Sequence, residues 1–534
     1  MNNPTPWVSR CVNRPTLVDS GSAANMASAP LPYIGRRVLE GIATTSAGPM
    51  SEHLVILGGN TAGLAAALSA RRRRPAQDLR VLVLEAGQDI SYGACGMPYN
   101  LADPQRQPND LLVRGMDHFR QLGIEVALGH RVLEVDPLAR RLRLRRDGQD
   151  ITLPWDRLVV ATGAAPLPMS VPGLPAERHF TFRSLQDLRR LKEAIHGFQR
   201  VAVVGGGAVG LELCDALRSL DLQVLLVEAQ SLPLPGFPHA LRERAVDTLR
   251  LHGVELHLDS RLTQATWQGS RLGIELQGPA RGQHGSVACE ALVNATGQIP
   301  ATDFLPANPL AKDAHGALPV DRSMATAWPG IWAAGDCVVR EHAVPALPGE
   351  TARLWNPQAR EARRGGRVAG WNAAFGTGDD TTLPLSPGTL ALKLFDLEVA
   401  RCGRLGLDGV EAPLLPEPVS TVRGLLGQPL PAPPRMAQAL QANVKGQTRG
   451  HGMPQADDLE VWLEADGQGL LRGGALCSTG PGAALRVNVL AALLQAQGRV
   501  EDLLELDLVY SPPFGPIEDP LLKAASRLRT LLKK

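Results

Sequence analysis

Hydrophobic residues in this chain gather in short continuous runs, each followed by glycines and then by a longer alanine- or leucine-rich stretch. HLVIL at 53 to 57 leads through GGNTAG into an alanine-rich segment ending in four arginines; LRVLVL follows at 79 to 84 and closes on Glu85. RVAVV at 200 to 204 repeats the order through GGGAVG and ELCDALRSL to LQVLLV, which closes on Glu228. Uninterrupted apolar runs of this kind mark strands buried on both faces, and the segments between them have helical composition. Each stretch therefore predicts a βαβ unit in a parallel sheet. LVVATGAAP at 158 to 166 and LVNATGQIP at 292 to 300 read as strands ending in glycine turns, and PGIWAAGDCV at 329 to 338 places Gly335 and Asp336 after a further strand. The pattern gives an α/β fold with two Rossmann-like dinucleotide-binding domains.

Residues 1–49 lack this periodicity. They are rich in Ser, Pro, Ala and Gly, and the ordered pattern starts at Met50, so they read as a disordered extension or a misplaced start. Arg10, Arg14, Arg36 and Arg37, with few acids, leave an organellar transit peptide as the rival reading. The 534 residues imply two to four domains, and 55 basic against 53 acidic side chains give no field that would draw nucleic acid. The expected partners are small molecules. Seven cysteines, at 11, 95, 214, 289, 337, 402 and 477, form no CxxC and no paired ligand spacing, which argues against a disulfide framework or a structural metal and for a reducing cytoplasm. No apolar run reaches the length of a membrane span.

In each unit the glycines permit a tight turn and close approach to a pyrophosphate, the following helix offers amide donors and the positive end of its dipole, and the acid accepts from a ribose hydroxyl. The first turn supplies Gly58, Gly59, Asn60, Ala62 and Gly63, with Asn60 in the middle glycine's place; the second has the full set, Gly205, Gly207 and Gly210. One chain should hold two dinucleotides. Nothing basic follows Glu228 in EAQSLPLPG, and its carboxylate would repel a 2′-phosphate, so NADH is expected ahead of NADPH.

With these turns, Ala161, Thr162 and Gly163 in the first ATG, Gly297 in the second, and the AxGD turn, the chain resembles the flavoprotein disulfide reductases. The resemblance implies FAD in the first unit, NAD(P)H in the second, and Asp336 at the ribityl and pyrophosphate end of the flavin. SYGACGMPY at 91 to 99 resembles the SFxxCGLPY segment of the single-cysteine branch: coenzyme A disulfide reductases, NADH-dependent persulfide reductases, NADH oxidases and NADH peroxidases. The likeness runs over nearly all of 52–520, including LLVRGMDHFRQLGIEV, GTLALKLFDLEVARCG and LELDLVYSPPFGPIEDP. It implies an FAD-binding domain from 50–170 and 293–378, an NAD(P)H-binding domain from 171–292, and a C-terminal α+β dimerisation domain from 379–534.

Cys95 is the expected redox residue. Position 100 is Asn, so no second cysteine stands where the wider superfamily places one, and a helix N-terminus beside oxidised flavin should lower the thiol. Oxidases and peroxidases of this branch carry a histidine in the first glycine turn and another near the C-terminus; Thr61 and Pro513 occupy those places. YSPPF resembles instead the reductases, whose tyrosine acts across a homodimer as proton donor to a leaving thiolate, which makes Tyr510 the expected acid. The implied reaction passes hydride from NADH through FAD to Cys95, which reduces a low-molecular-weight disulfide or persulfide such as coenzyme A disulfide; oxidase or peroxidase chemistry is the alternative. Ser91 and Tyr99, with Arg71 and Arg74 at the end of the first helix, are candidate substrate contacts. Departures from the branch are Ala94 before the cysteine, TRGHGMPQA at 448 to 456 with His451 and no tyrosine, and a proline-rich insertion at 411–443.

Overall fold

The structure is a computed structural model, and it describes residues 52–278, 284–306, 312–347, 350, 352–376, 381–406, 440–450, 453 and 457–533. The chain divides into compact units at 1–49 and 50–534, and every described residue falls in the second; the readings of residues 1–49 and of His451 concern residues outside those described.

The first repeat folds as β1 (Glu52–Leu57), α1 (Thr61–Arg73) and β2 (Leu79–Leu84), after which a short helix, α2 (Met97–Ala102), precedes β3 (Ile124–Ala127) and β4 (Arg157–Val160). The second repeat opens with β5 (His179–Thr181) and α3 (Leu185–Ala194). It continues with β6 (Arg200–Val204), α4 (Ala208–Arg218), β7 (Gln223–Val227), β8 (Glu255–His257) and β9 (Ala291–Asn294). The chain then returns to the first sheet through β10 (Ile331–Ala333) and α5 (Ala359–Ala373). Both sheets are parallel, in the orders β10-β4-β1-β2-β3 and β8-β7-β6-β9-β5. Because β9 pairs with β6 and β5, the strand spans the boundary placed at 292, and the second sheet ends after Asn294.

The C-terminal part is an antiparallel sheet of β11 (Leu390–Leu394), β12 (Leu397–Gly403), β13 (Leu440–Gln447), β14 (Asp458–Ala465) and β15 (Leu471–Ser478), ordered β11-β12-β15-β14-β13. It packs with α6 (Ala483–Gln495) and α7 (Pro520–Leu532) through Val461, Leu476, Leu490, Leu521 and Leu528. Residues 440–443, counted above with the proline-rich insertion, are the start of β13. The residues flanking 407–439 are tied together: one Glu464 oxygen accepts from the Gly406 amide at 2.6 Å and from Gln441 Nε2 at 3.1 Å, and Gln441 also donates to the Gly406 carbonyl.

Two packing facts place the site. Met97 and Leu101 of α2 are buried in one core with Leu185, Leu188 and Leu191 of α3 and Leu211 of α4, so the helix after Cys95 belongs by packing to the second dinucleotide unit, although it follows the first in sequence. And α5 crosses α1 at backbone distance: a Cβ on Gly366 would lie 2.1 Å from the Ala62 carbonyl oxygen, and one on Gly370 would lie 2.0 Å from that of Ala66. Small residues on both helices are what allow this crossing, because interiors packed to crystal density have no slack for a side chain. Gly370→Val should therefore force α5 away from α1 and destabilise the protein by about 3 kcal/mol or more. Thermal unfolding beside wild type checks this, and an unchanged melting temperature would contradict the packing argument.

Candidate active site

The two nucleotide turns are built alike, down to the contacts of individual glycines. Gly58 and Gly205 have φ of +109° and +107°, and a Cβ on them would strike the carbonyl oxygens of Ala161 and Ala295 at 2.2 and 2.4 Å. The ATG turn at the end of each neighbouring strand thus presses against the first glycine. Gly63 and Gly210 stand over the Gly58 and Gly205 carbonyls, where a Cβ would come within 1.9 Å, so strand and helix approach as closely as backbones can. The middle position differs: Gly207 would meet nothing, and Asn60 has extended backbone angles open to any residue, so Asn is sterically admissible there.

Each terminal acid is fixed by two amides. Glu85 accepts from Gly59 at 2.6 Å and Gly87 at 2.7 Å; Glu228 accepts from Gly206 at 2.5 Å and Gln230 at 2.7 Å. Beside Glu85 opens a cavity of about 540 Å³ lined by Gly58, Ala86, His130, Thr162 and Asp303 among others. His130 is 4% exposed; its Nδ1 lies 2.6 Å from the Leu128 carbonyl and its Nε2 has no partner. Burial lowers its pKa and keeps the ring neutral, and since a carbonyl only accepts, Nδ1 donates and Nε2 remains an acceptor. A carboxylate, a neutral imidazole acceptor and a close-packed glycine turn around such a cavity fit the adenosine and pyrophosphate arm of FAD. At the second turn a basic side chain does reach the loop after Glu228, but Arg242 is buried and donates to the Leu232 and Pro233 carbonyls and to Gln230. It is held by the loop's backbone instead of facing a 2′-phosphate.

Cys95 lies in a 3-10 turn, Ala94–Gly96, that runs into α2. The turn is pinned by Gly93 donating to Leu111 and Gly96 to Gly93, both at 2.9 Å, while Ser91, buried with a positive φ of 54°, joins its amide to the Gly59 carbonyl at 3.2 Å. Ser91 thereby links the nucleotide turn to the cysteine turn through its backbone. Cys95 is exposed, unlike Cys214, Cys289, Cys337, Cys402 and Cys477, which are buried. The lowered thiol expected from the sequence is not produced by the protein alone. Desolvation in the recess, then the Glu212 and Asp336 carboxylates, push Cys95 above the usual thiol range, with Arg183 acting in the opposite sense. Six residues of helix supply too little dipole to outweigh two carboxylates.

Glu212, on α4, is half-buried and raised to about 7 by desolvation and by Asp215. Tyr99, exposed on α2, lies within the field of both acids, and desolvation raises its hydroxyl first. Asp336 is ion-paired to Arg183 at 2.7 Å, and its carbonyl accepts from Trp355 Nε1 at 2.8 Å. Gly335 would meet the Ala62 side chain at 2.9 Å, which brings the AxGD turn against the first helix. Gly297 lies in open space at the second turn.

Arg71 and Arg74 are engaged by the fold itself. Arg71 donates to the Gly123 and Arg74 carbonyls, and Arg74 to Ala374, Asp78 and the Glu52 carboxylate, while Arg73 and Arg74 stack on Phe375. They close the end of α1 against α5, and Arg72 is the exposed member of the run. Tyr510 is 53% exposed in the C-terminal part, beside exposed Val509, Phe514 and Ile517. His130, Arg183, Glu212 and Arg242 carried no motif; the only local signal near any of them is the Ser184–Asp187 capping box that follows Arg183.

The NAD(P)H coenzyme A polysulfide/persulfide reductase of Pyrococcus horikoshii is 27% identical over 493 residues, 90% of this chain and 99% of that one. An NADH oxidase of Methanocaldococcus jannaschii is 26% identical over 90% of this chain and 99% of its own length. The solved NAD-dependent persulfide reductase from A. fulgidus superposes with a TM-score of 0.77 at 26% identity, covering 90% of this chain and 84% of that one. The family profile described as pyridine nucleotide-disulphide oxidoreductase matches residues 52–366, the stretch that holds both glycine turns, Cys95 and Asp336, and the chain belongs to that family.

Proposed function

We propose that the protein is an NADH-dependent flavoprotein that reduces a low-molecular-weight disulfide or persulfide, coenzyme A disulfide being the leading substrate, at Cys95. The observation that carries the reading is one exposed cysteine, held on a pinned turn between the two dinucleotide units, with every other described cysteine buried.

FAD would be held by Gly58, Gly59, Asn60, Gly63, Glu85, His130, Thr162 and Asp336, and when bound it supplies the two-electron link between NADH and the cysteine. NADH would lie on the Gly205 to Gly210 turn with Glu228 toward its ribose. The protein's own contribution is to the sulfur chemistry. Cys95 thiolate attacks the substrate disulfide, forming a mixed disulfide and expelling one thiolate. That thiolate needs a proton, and Tyr510, on a face with exposed Val509, Phe514, Ile517 and Leu485, supplies it across a homodimer that covers these apolar residues. The relatives named as persulfide reductases, together with Thr61 and Pro513 in the places of the oxidase histidines, favour sulfur over dioxygen as the acceptor.

Cys95→Ser should keep its yellow colour and its anaerobic bleaching by NADH while losing disulfide turnover by about a thousandfold or more, since the nucleophile is gone. If air or peroxide reoxidises the reduced wild type and sulfur compounds do not, the protein is an oxidase. Turnover should rise with pH, because a raised thiol is mostly protonated at neutrality and gains thiolate as pH climbs. Glu212→Gln removes a like charge and should move that rise to lower pH; an unmoved profile would separate Glu212 from the thiol. Tyr510→Phe should lower turnover by about 10²- to 10⁴-fold. Coexpressing it with Cys95→Ser should restore about a quarter of wild-type turnover, because half the dimers are mixed and each has one intact site only if Tyr510 acts on its partner's cysteine. No recovery would place the tyrosine's action within one chain.

A further inference from the structure

Helix α3 and the two residues before it carry four cations. Arg190 stays within the second dinucleotide unit, on the Ala176 carbonyl and the Phe180 ring, while Arg183, Arg189 and Lys192 reach out of it to the segment that bears Cys95 or to the flavin turn. Lys192 Nζ donates to the carbonyls of Asn100, Asp103 and Arg106 at 2.6, 2.8 and 2.7 Å, with Asn100 Oδ1 at 3.4 Å. An ammonium has three N–H donors, and here one carbonyl of the last turn of α2 and two beyond it take them. Asn100, fully buried, donates in turn to the Gln107 carbonyl at 2.8 Å and closes the loop on itself. Arg189 grips Asp89 with both Nη atoms, at 2.6 and 2.8 Å, and holds Asn109 Oδ1 at 2.7 Å. Arg183 joins Asp336 at 2.7 Å and the Ala164 carbonyl at 3.0 Å.

These contacts bracket Cys95. Asp89 lies before it, and Asn100 to Asn109 lie after it, while Asp336 and Ala164 belong to the turns of the first unit. The apolar face of α2 is set on the same helix, through Met97 and Leu101 against Leu185, Leu188 and Leu191. The start of α3 is itself fixed, since Ser184 and Asp187 form a reciprocal capping box and the Asp187 carboxylate also accepts from the Arg183 amide at 3.0 Å and from Thr181. Isolated surface ion pairs hold little. A buried helix stripe flanked by a bidentate pair and a three-carbonyl lysine is a different case, because the contacts act on one rigid element.

We infer that α3 is a clamp that sets the position of Cys95, with Lys192 and Arg189 as positioning residues that fix the two ends of the segment 89–109. The inference rests on the reading of Cys95 as the redox residue. Its physical content is that the cysteine turn is registered by the nucleotide unit across from it and not by the unit it follows in the chain, so the distance between thiol and flavin is set by the docking of one unit on the other.

Lys192→Met and, separately, Asp89→Asn test the clamp in the as-purified holoenzyme; the second variant keeps shape and removes only the charge that Arg189 grips. Hydrogen exchange of the amides between 97 and 109 should quicken by about tenfold. Cys95 should react several times faster with iodoacetamide as its turn loosens, while disulfide turnover falls by about 10- to 100-fold for a displacement near 1 Å. Flavin content and anaerobic reduction by NADH should stay within about twofold of wild type, and Lys192→Arg should recover part of the turnover. If exchange and alkylation are unchanged in both variants, the clamp is wrong. If NADH reduction falls in step with turnover, the cations merely hold the unit together and the positioning role is wrong. Should Cys95→Ser turn over disulfide as wild type does, the proposed function fails, while alkylation and exchange still decide the clamp.

Discussion

The site rests on a steric constraint that appears twice: the first glycine of each nucleotide turn lies against the carbonyl of an alanine in an ATG turn, with no room for a side chain. That contact brings the C-terminal ends of β1 and β6 beside the ends of β4 and β9, which is where a parallel sheet opens a crevice for a ligand. Everything chemical is arranged around these two crevices. The acids at the ends of β2 and β7 are oriented by amides of the same turns, so tightening the turn and aiming the carboxylate are one structural event.

Much of this was legible in the sequence because the constraint is local. Glycines, apolar runs and a terminal acid lie within some thirty positions of one another, and their order alone identifies the unit. What the sequence did not show depends on partners far along the chain. Arg183 meets Asp336 across 153 positions and Lys192 meets Asn100 across 92, and no spacing rule connects them. The arginine run at the end of α1, a candidate ligand contact through the resemblance, has partners that include Ala374 and Trp371, about 300 positions on, so its docking on another helix was not legible locally. The misplaced boundary at 292 has a similar cause: an ATG turn ends strands of both units, so the motif alone does not say which sheet owns β9.

The electrostatics around Cys95 run against the simplest expectation for a nucleophilic thiol. Partial desolvation and two carboxylates favour the protonated form, and one arginine opposes them while also balancing Asp336. A thiol kept protonated until its partners arrive is poorly reactive toward chance electrophiles, and its environment changes when an electron-poor ring is placed beside it. Burial of the remaining described cysteines leaves Cys95 as the one described thiol open to a reagent.

The closure formed by Gly406, Gln441 and Glu464 bears on insertion and deletion. Because Gly406 and Gln441 both bind one carboxylate on β14, an inner strand of the antiparallel sheet, the flanks of β12 and β13 are held together independently of what lies between them in the sequence. Loop-closure entropy grows only slowly with length once the ends are fixed. Insertion or deletion between these two pinned residues therefore costs little on this scale and leaves the pairing of β12 and β13 in place.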